Sequence, residues 1–142
     1  MPIVNYGRYI VSDQRLREAL ENIAMETGHV VRVTSGDRNF VPKGSSSKSL
    51  HNIKEAVDFH LDGLTDEEAF NQLRLKRTEI FGGTTGPAFR FQIIRHGPYT
   101  ETQGAHLHLG YVPVDRVGNA TGYLVEGLTS SGKGKYERVE KP

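Results

Sequence analysis

The order of elements legible in the 142 residues is helix, strand, strand, helix, strand, strand. It predicts an α+β domain, a mainly antiparallel sheet with helices packed on one face. Two observations support this. Apolar residues recur at three- and four-residue spacing in two segments, whereas four others are short β-branched runs or alternate apolar with polar residues, the period of a half-buried strand. Composition also leaves room for a single core, because hydrophobic residues make up 36% of the chain and 16 residues are glycine. One domain burying about two-thirds of its unfolded surface, with extensive loops, accounts for that length.

In chain order, Ser12 precedes Leu16, Leu20, Ile23 and Ala24 at helical spacing, and Gly28 stands where a left-handed cap is least costly, so a first helix lies between them. Val30 to Thr34 is a β-branched strand, and Ser35 to Ser49, with three consecutive serines, two glycines and a proline, is a loop long enough to wall a site. A strand over Ala56 to His60 ends at the Asp62-Gly63 turn. Thr65 and Glu68 then have the spacing of a capping box ahead of Ala69, Phe70 and Leu73, predicting a second helix to about Lys76. Gly82 to Pro87 is a plain connection, since no Lys-Ser/Thr pair follows it as a phosphate loop requires. Ala88 to Arg95 is a strand with Arg90 and Gln92 outward and Phe89, Phe91 and Ile93 inward. His96-Gly97-Pro98 is a turn, which makes His96 a solvated loop residue, and the chain returns through Gly104 as the antiparallel strand around His106. Beyond Val112 periodicity is lost, so residues 1–112 form the expected domain and 113–142 a mobile or docking tail whose apolar run is Tyr123-Leu124-Val125.

Net charge of +1 gives no basic face for nucleic acid, and no run approaches the ~20 apolar residues of a membrane span. Cysteine is absent, which excludes disulfides and thiolate chemistry and leaves His, Asp and Glu as the strong metal ligands. The amino-terminal residues lack the pattern of a Sec-type signal, so the expected location at synthesis is cytoplasmic, with any cell-wall substrate reached by another route.

The chemistry-bearing residues concentrate in two segments. On a strand, Ala56, Asp58 and His60 share one face while Val57 and Phe59 enter the core; likewise His106 and His108 share one face and Leu107 and Leu109 the other. Adjacent pairing of those strands would present Asp58, His106 and His108 together, with His51 reaching over from the preceding loop. Imidazoles plus one carboxylate are the donors that catalytic zinc uses when its fourth position stays open.

Ser49-x-His51, then Ala56-x-Asp58, and later His106-x-His108 resemble the motif of the zinc peptidases of the D-alanyl-D-alanine carboxypeptidase and Hedgehog-like fold, and Thr34-Ser35-Gly36-Asp37-Arg38 is similar to that family's Ser-Gly-aromatic-Arg segment. The resemblance covers about residues 30–111 in the family's order. It implies a Hedgehog/D,D-peptidase-like fold and one catalytic Zn2+ held by His51, Asp58 and His108. It further implies that His106 is catalytic or stabilises the transition state, and that Arg38 and Ser49 contact the substrate, a peptidoglycan stem peptide. Lys54 stands where the family has glycine, Asp37 where it has an aromatic residue, and Ala105 where several relatives have an acid, which leaves Glu101 as the nearest candidate base. The alternative in another class is a non-catalytic, zinc-containing binding domain of the same fold.

Overall fold

The computed structural model describes residues 3–37, 55–82, 90–97, 105–112, 121–128 and 134–140. They run in the order β1 (Val4–Asn5), α1 (Gln14–Thr27), β2 (Val31–Ser35), β3 (Ala56–Leu61), α2 (Asp66–Leu75), α3 (Arg77–Phe81), β4 (Phe91–His96), β5 (His106–Tyr111), β6 (Gly122–Leu128) and β7 (Gly134–Glu140). Arg38, Ser49, His51 and Glu101 lie outside the described residues, as do the Ser-rich stretch from 38 on and residues 83–89 of the Gly-rich connection and the strand start.

The α1 apolar stripe of Leu16, Ala19, Leu20, Ile23 and Ala24 is fully buried, as its three- and four-residue spacing dictates. Its cap falls one residue later than Ser12. The Asp13 carboxylate accepts from the backbone N–H of Arg15 at 2.8 Å, while the Ser12 hydroxyl donates to Asp37 instead. Gly28 closes the helix at φ 72°, its N–H donating to the Ala24 carbonyl. The capping box at α2 is present in both halves: Thr65 Oγ1 accepts from Glu68 N–H at 3.1 Å and Glu68 Oε1 from Thr65 N–H at 3.0 Å. Helix α3 was not legible. The chain leaves helical geometry at Lys76 (φ −105°, ψ 19°) and re-enters it, a change of direction that buries Ile80 and sets Phe81 against Phe91 with ring centroids 4.9 Å apart.

The described strands form one seven-stranded sheet in the order β1-β2-β3-β5-β4-β6-β7. It is mixed rather than mainly antiparallel: β1 pairs with β2 in parallel, and so does β4 with β6. Both parallel pairs follow from connectivity. Helix α1 separates β1 from β2, and a helical crossover returns the chain in the same direction. After the β4/β5 hairpin the chain passes to the free side of β4, so β6, reversing β5, runs with β4. The stretch from 113 on thus contributes β6 and β7 to the same sheet, and the Tyr123-Leu124-Val125 run is the centre of β6.

One face of the sheet packs on the helices. Val31, Val33, Val57, Phe59, Leu61, Ile93, Leu107 and Leu109 form a single core with Leu16, Leu20, Ile23, Phe70, Leu73 and Ile80. Tyr123 completes it from β6, edge-on to Phe70 at 6.0 Å and donating its hydroxyl to the Leu73 carbonyl. A period of two forces the alternate residues of β3, β4, β5 and β6 onto the opposite face.

At the start of β3, Glu55 meets the α1 cap, 3.5 Å from the Arg15 guanidinium that also holds Asp13 at 2.6 Å. Burial, then the neighbouring Asp13 carboxylate, pushes the Glu55 carboxyl up to about 7. Burial also pushes Asp13 up, but its hydrogen bonds with Arg15 and Glu55 outweigh that and hold it well below the usual carboxylate range. A raised carboxyl means the native state binds the proton more tightly than the unfolded chain. The Glu55 contribution is therefore complete below its ordinary value of 4.5 and is lost as pH rises through about 7. Asp13, shifted downward, contributes above its ordinary value of 3.8 and loses that contribution in acid. The Glu55 contribution to the melting temperature should therefore fall between about pH 4.5 and 7, and Glu55→Gln should remove that fall; parallel curves for the two proteins would refute the coupling.

Candidate metal centre

The register of three adjacent strands assembles the site. In the β3/β5 ladder Asp58 lies opposite His108, and in the β4/β5 ladder His96 lies opposite His106, with Ile94 opposite His108. A bulge between Val33 and Ser35 brings Ser35 opposite Asp58 from the other side. Cross-strand neighbours have Cβ atoms about 5 Å apart, so one carboxylate and several imidazoles from distant parts of the chain meet on the face away from the helices.

Asp58 is only 1% exposed, and His106 and His108 are buried with it. Its two oxygens are divided between the histidines: Oδ1 lies 3.2 Å from His108 Nδ1, and Oδ2 lies 3.4 Å from His106 Nε2. A carboxylate this far from water requires compensating positive charge or hydrogen bonds. The other ring nitrogen of His108, Nε2, lies 3.0 Å from the Gln92 side-chain oxygen. With Gln92 accepting from Nε2–H, Nδ1 turns a lone pair toward Asp58, an arrangement that is favourable when a proton or a cation lies between them.

Asp58 and His108 are donors of the types that zinc takes. Ligands 2.0–2.1 Å from a tetrahedral ion are separated by about 3.3 Å, whereas a charge-assisted hydrogen bond contracts to about 2.7–2.9 Å. The Asp58 Oδ1–His108 Nδ1 separation of 3.2 Å is close to the former, while His106, which the resemblance does not count among the ligands, meets the other oxygen. Gln92 on the far nitrogen of His108 is the outer hydrogen bond that metal-ligating histidines usually make. Among the described residues no group of three or more His, Asp or Glu forms a metal cage by itself. Asp58 and His108, two of the three ligands that the sequence resemblance implies, lie 3.2 Å apart, and the third, His51, is outside the described residues.

His60 shares the Asp58 face, but its Nδ1 is 2.7 Å from Asp66 Oδ1 at the start of α2. His96 departs from the sequence expectation. It is the last residue of β4 rather than a solvated loop residue, with its side chain 11% exposed and its ring stacked on His106 at 4.5 Å between centroids and 28° between planes. Burial lowers its pKa, and the neighbouring His106 lowers it further. The signal was available: Gln92 faces outward, and two steps of period two lead to His96. Glu126 of β6 is also buried on this face, 3.5 Å from His96 Nδ1, and it had no local signal because only the parallel pairing of β6 with β4 brings it there. Ala105, where an acid was sought, is exposed at the mouth of β5.

No family model, curated protein or solved structure matches the chain. No helix among the described residues is long and apolar enough to cross a membrane.

Metal analysis of purified protein should find close to one zinc per chain. Asp58→Ala and His108→Ala should each lose it, while His60→Ala, whose ring is committed to Asp66, should leave it nearly unchanged; full zinc in His108→Ala would remove the assignment.

Proposed function

We propose that the protein is a zinc-dependent peptidase acting on peptidoglycan stem peptides, of the D,D-carboxypeptidase or endopeptidase type. The observation that supports this reading most is the division of one buried carboxylate between the two imidazoles of a His-x-His strand, with Asp58 and His108 3.2 Å apart, a separation suited to a shared cation. The motif resemblance in the sequence supplies the substrate class.

In this reading Asp58, His108 and His51 hold the metal. When bound, zinc supplies Lewis acidity, bringing the pKa of coordinated water to about 7 and polarising a carbonyl oxygen. Gln92 keeps the His108 ring in the orientation that directs Nδ1 toward Asp58. Hydrolysis breaks the amide C–N bond, adding the water oxygen to the carbonyl carbon and delivering a proton to the leaving amine. In this reading His106 carries that proton, a role supported by its contact with Asp58: with Nε2 3.4 Å from Asp58 Oδ2, a proton taken up there rests against a carboxylate until it is passed on. Burial of Asp58, His106 and His108 lowers the local dielectric and strengthens each of these interactions. Arg38 is assigned to substrate and oxyanion stabilisation, Ser49 to substrate contact, and Glu101 to the alternative base, on the motif alone.

The test is digestion. Zinc-loaded protein should release fragments from purified peptidoglycan or from a stem peptide ending in D-alanine, and chelation should stop it. His106→Ala and Arg38→Ala should each keep zinc and lose turnover by about two to three powers of ten, the loss of one acid-base group or oxyanion donor. A larger loss in Glu101→Ala than in His106→Ala would make the loop carboxylate the base. Intact peptides with zinc fully bound would transfer the reading to a zinc-containing binding domain.

A further inference from the structure

The buried polar row does not stop at the His-x-His pair. It continues across β4 to β6: Asp58, then His106, then His96 stacked on it, then Glu126. His96 also meets His108, edge to face at 5.9 Å and 82°, so one ring touches both histidines. Glu126 grips the end of β4 twice: Oε1 accepts from the Gly97 backbone N–H at 3.1 Å, and Oε2 lies 3.5 Å from His96 Nδ1.

We propose that Glu126 and His96 form a positioning pair for the His-x-His segment, Glu126 orienting the His96 ring and His96 setting the plane of His106 while abutting His108, which Asp58 and Gln92 hold at its two nitrogens. The kinetic part of this inference rests on the hydrolytic reading above; the geometric part does not.

The second torsion of histidine is broad, so a ring bound at one edge still swings about that bond. The Asp58 contact meets His106 at the Nε2 edge of its ring. A ring stacked on its face restricts that swing, and the stacked ring, His96, is in turn met by Glu126, whose carboxylate is anchored by the Gly97 N–H. A structural explanation alone is weak. A buried carboxylate–imidazole pair is an expensive way to join two strands, because apolar side chains of similar volume do so about equally well. It becomes useful where the rings beside it must be held at a set angle.

The pair is tested in the zinc-loaded full-length chain with Glu126→Gln, His96→Ala and His96→Phe, following histidine ring resonances by NMR together with kcat and KM on a stem peptide. Glu126→Gln keeps the shape and the Gly97 bond and loses the charge beside His96, so it remains informative if His96→Ala does not fold. Expected for Glu126→Gln are full zinc, KM within about twofold of wild type and kcat lowered severalfold, less than the ~10-fold cost of removing a direct partner of a metal ligand, because Glu126 reaches His106 only through His96. His96→Ala should shift the His106 and His108 ring signals, and His96→Phe, which keeps a ring to stack on, should restore the signals and part of kcat. Unchanged ring signals and unchanged kcat in Glu126→Gln and His96→Ala would overturn the inference, as would activity losses that match the unfolded fraction. If wild type with zinc hydrolyses nothing, the hydrolytic reading fails and the ring resonances of Glu126→Gln, which keeps the His96 ring and its ring current, decide alone: a shifted His106 signal upholds the positioning pair, and an unchanged one ends it.

Discussion

A carboxylate buried to 1% exposure must be matched by positive charge or donors, and in this fold the match at Asp58 is made across strands rather than along one. That requirement constrains the centre of the sheet. The β3/β5 register sets Asp58 opposite His108, and a slip of one residue would carry the carboxylate into the helix-facing core and a core side chain such as Val57 or Phe59 onto the polar face. Packing of Val57, Phe59, Leu107 and Leu109 against the helices and polar pairing on the far face therefore enforce the same register from two sides.

The helices act on the site indirectly. They bury one face of the sheet, which leaves the polar row on the opposite face, with Ile94, Leu124 and Ala56 buried around it. In that low-dielectric setting, separations of 3.2 and 3.4 Å between carboxylate and imidazole are strong determinants of where a proton or cation is stable. The Gln92 contact adds direction, since it commits one nitrogen of His108 and leaves the other for Asp58. The α1 cap lies apart from this row. Asp13, Arg15 and Glu55 tie the helix start to the residue before β3, and their pH response belongs to stability.

Much of the site was readable because it follows strand parity. Asp58, His106 and His108 were expected on one surface of paired strands, and the ladders put them there. The α1 stripe, the Gly28 cap, the capping box of Thr65 and Glu68, and the β4/β5 antiparallel pair were equally legible, since each depends on residues within a few positions of one another. His96 was misassigned by stopping β4 one residue early at a turn signal, although the outward period from Gln92 continues through it.

By itself, then, the sequence determined the α+β class, the residues of each amphipathic element and the faces of the two histidine and aspartate strands, because periods of 3.6 and 2 are properties of the local backbone. Only the tertiary structure decided the mixed character of the sheet, the break between α2 and α3, and the arrival of Glu126 beside His96. These depend on which side of β4 the chain takes after β5 and on which strand β6 then joins, and strand order is fixed by the burial of Tyr123 and its neighbours in a shared core. Contacts between residues 30 positions apart, such as His96 and Glu126, leave no periodic trace in the chain that makes them.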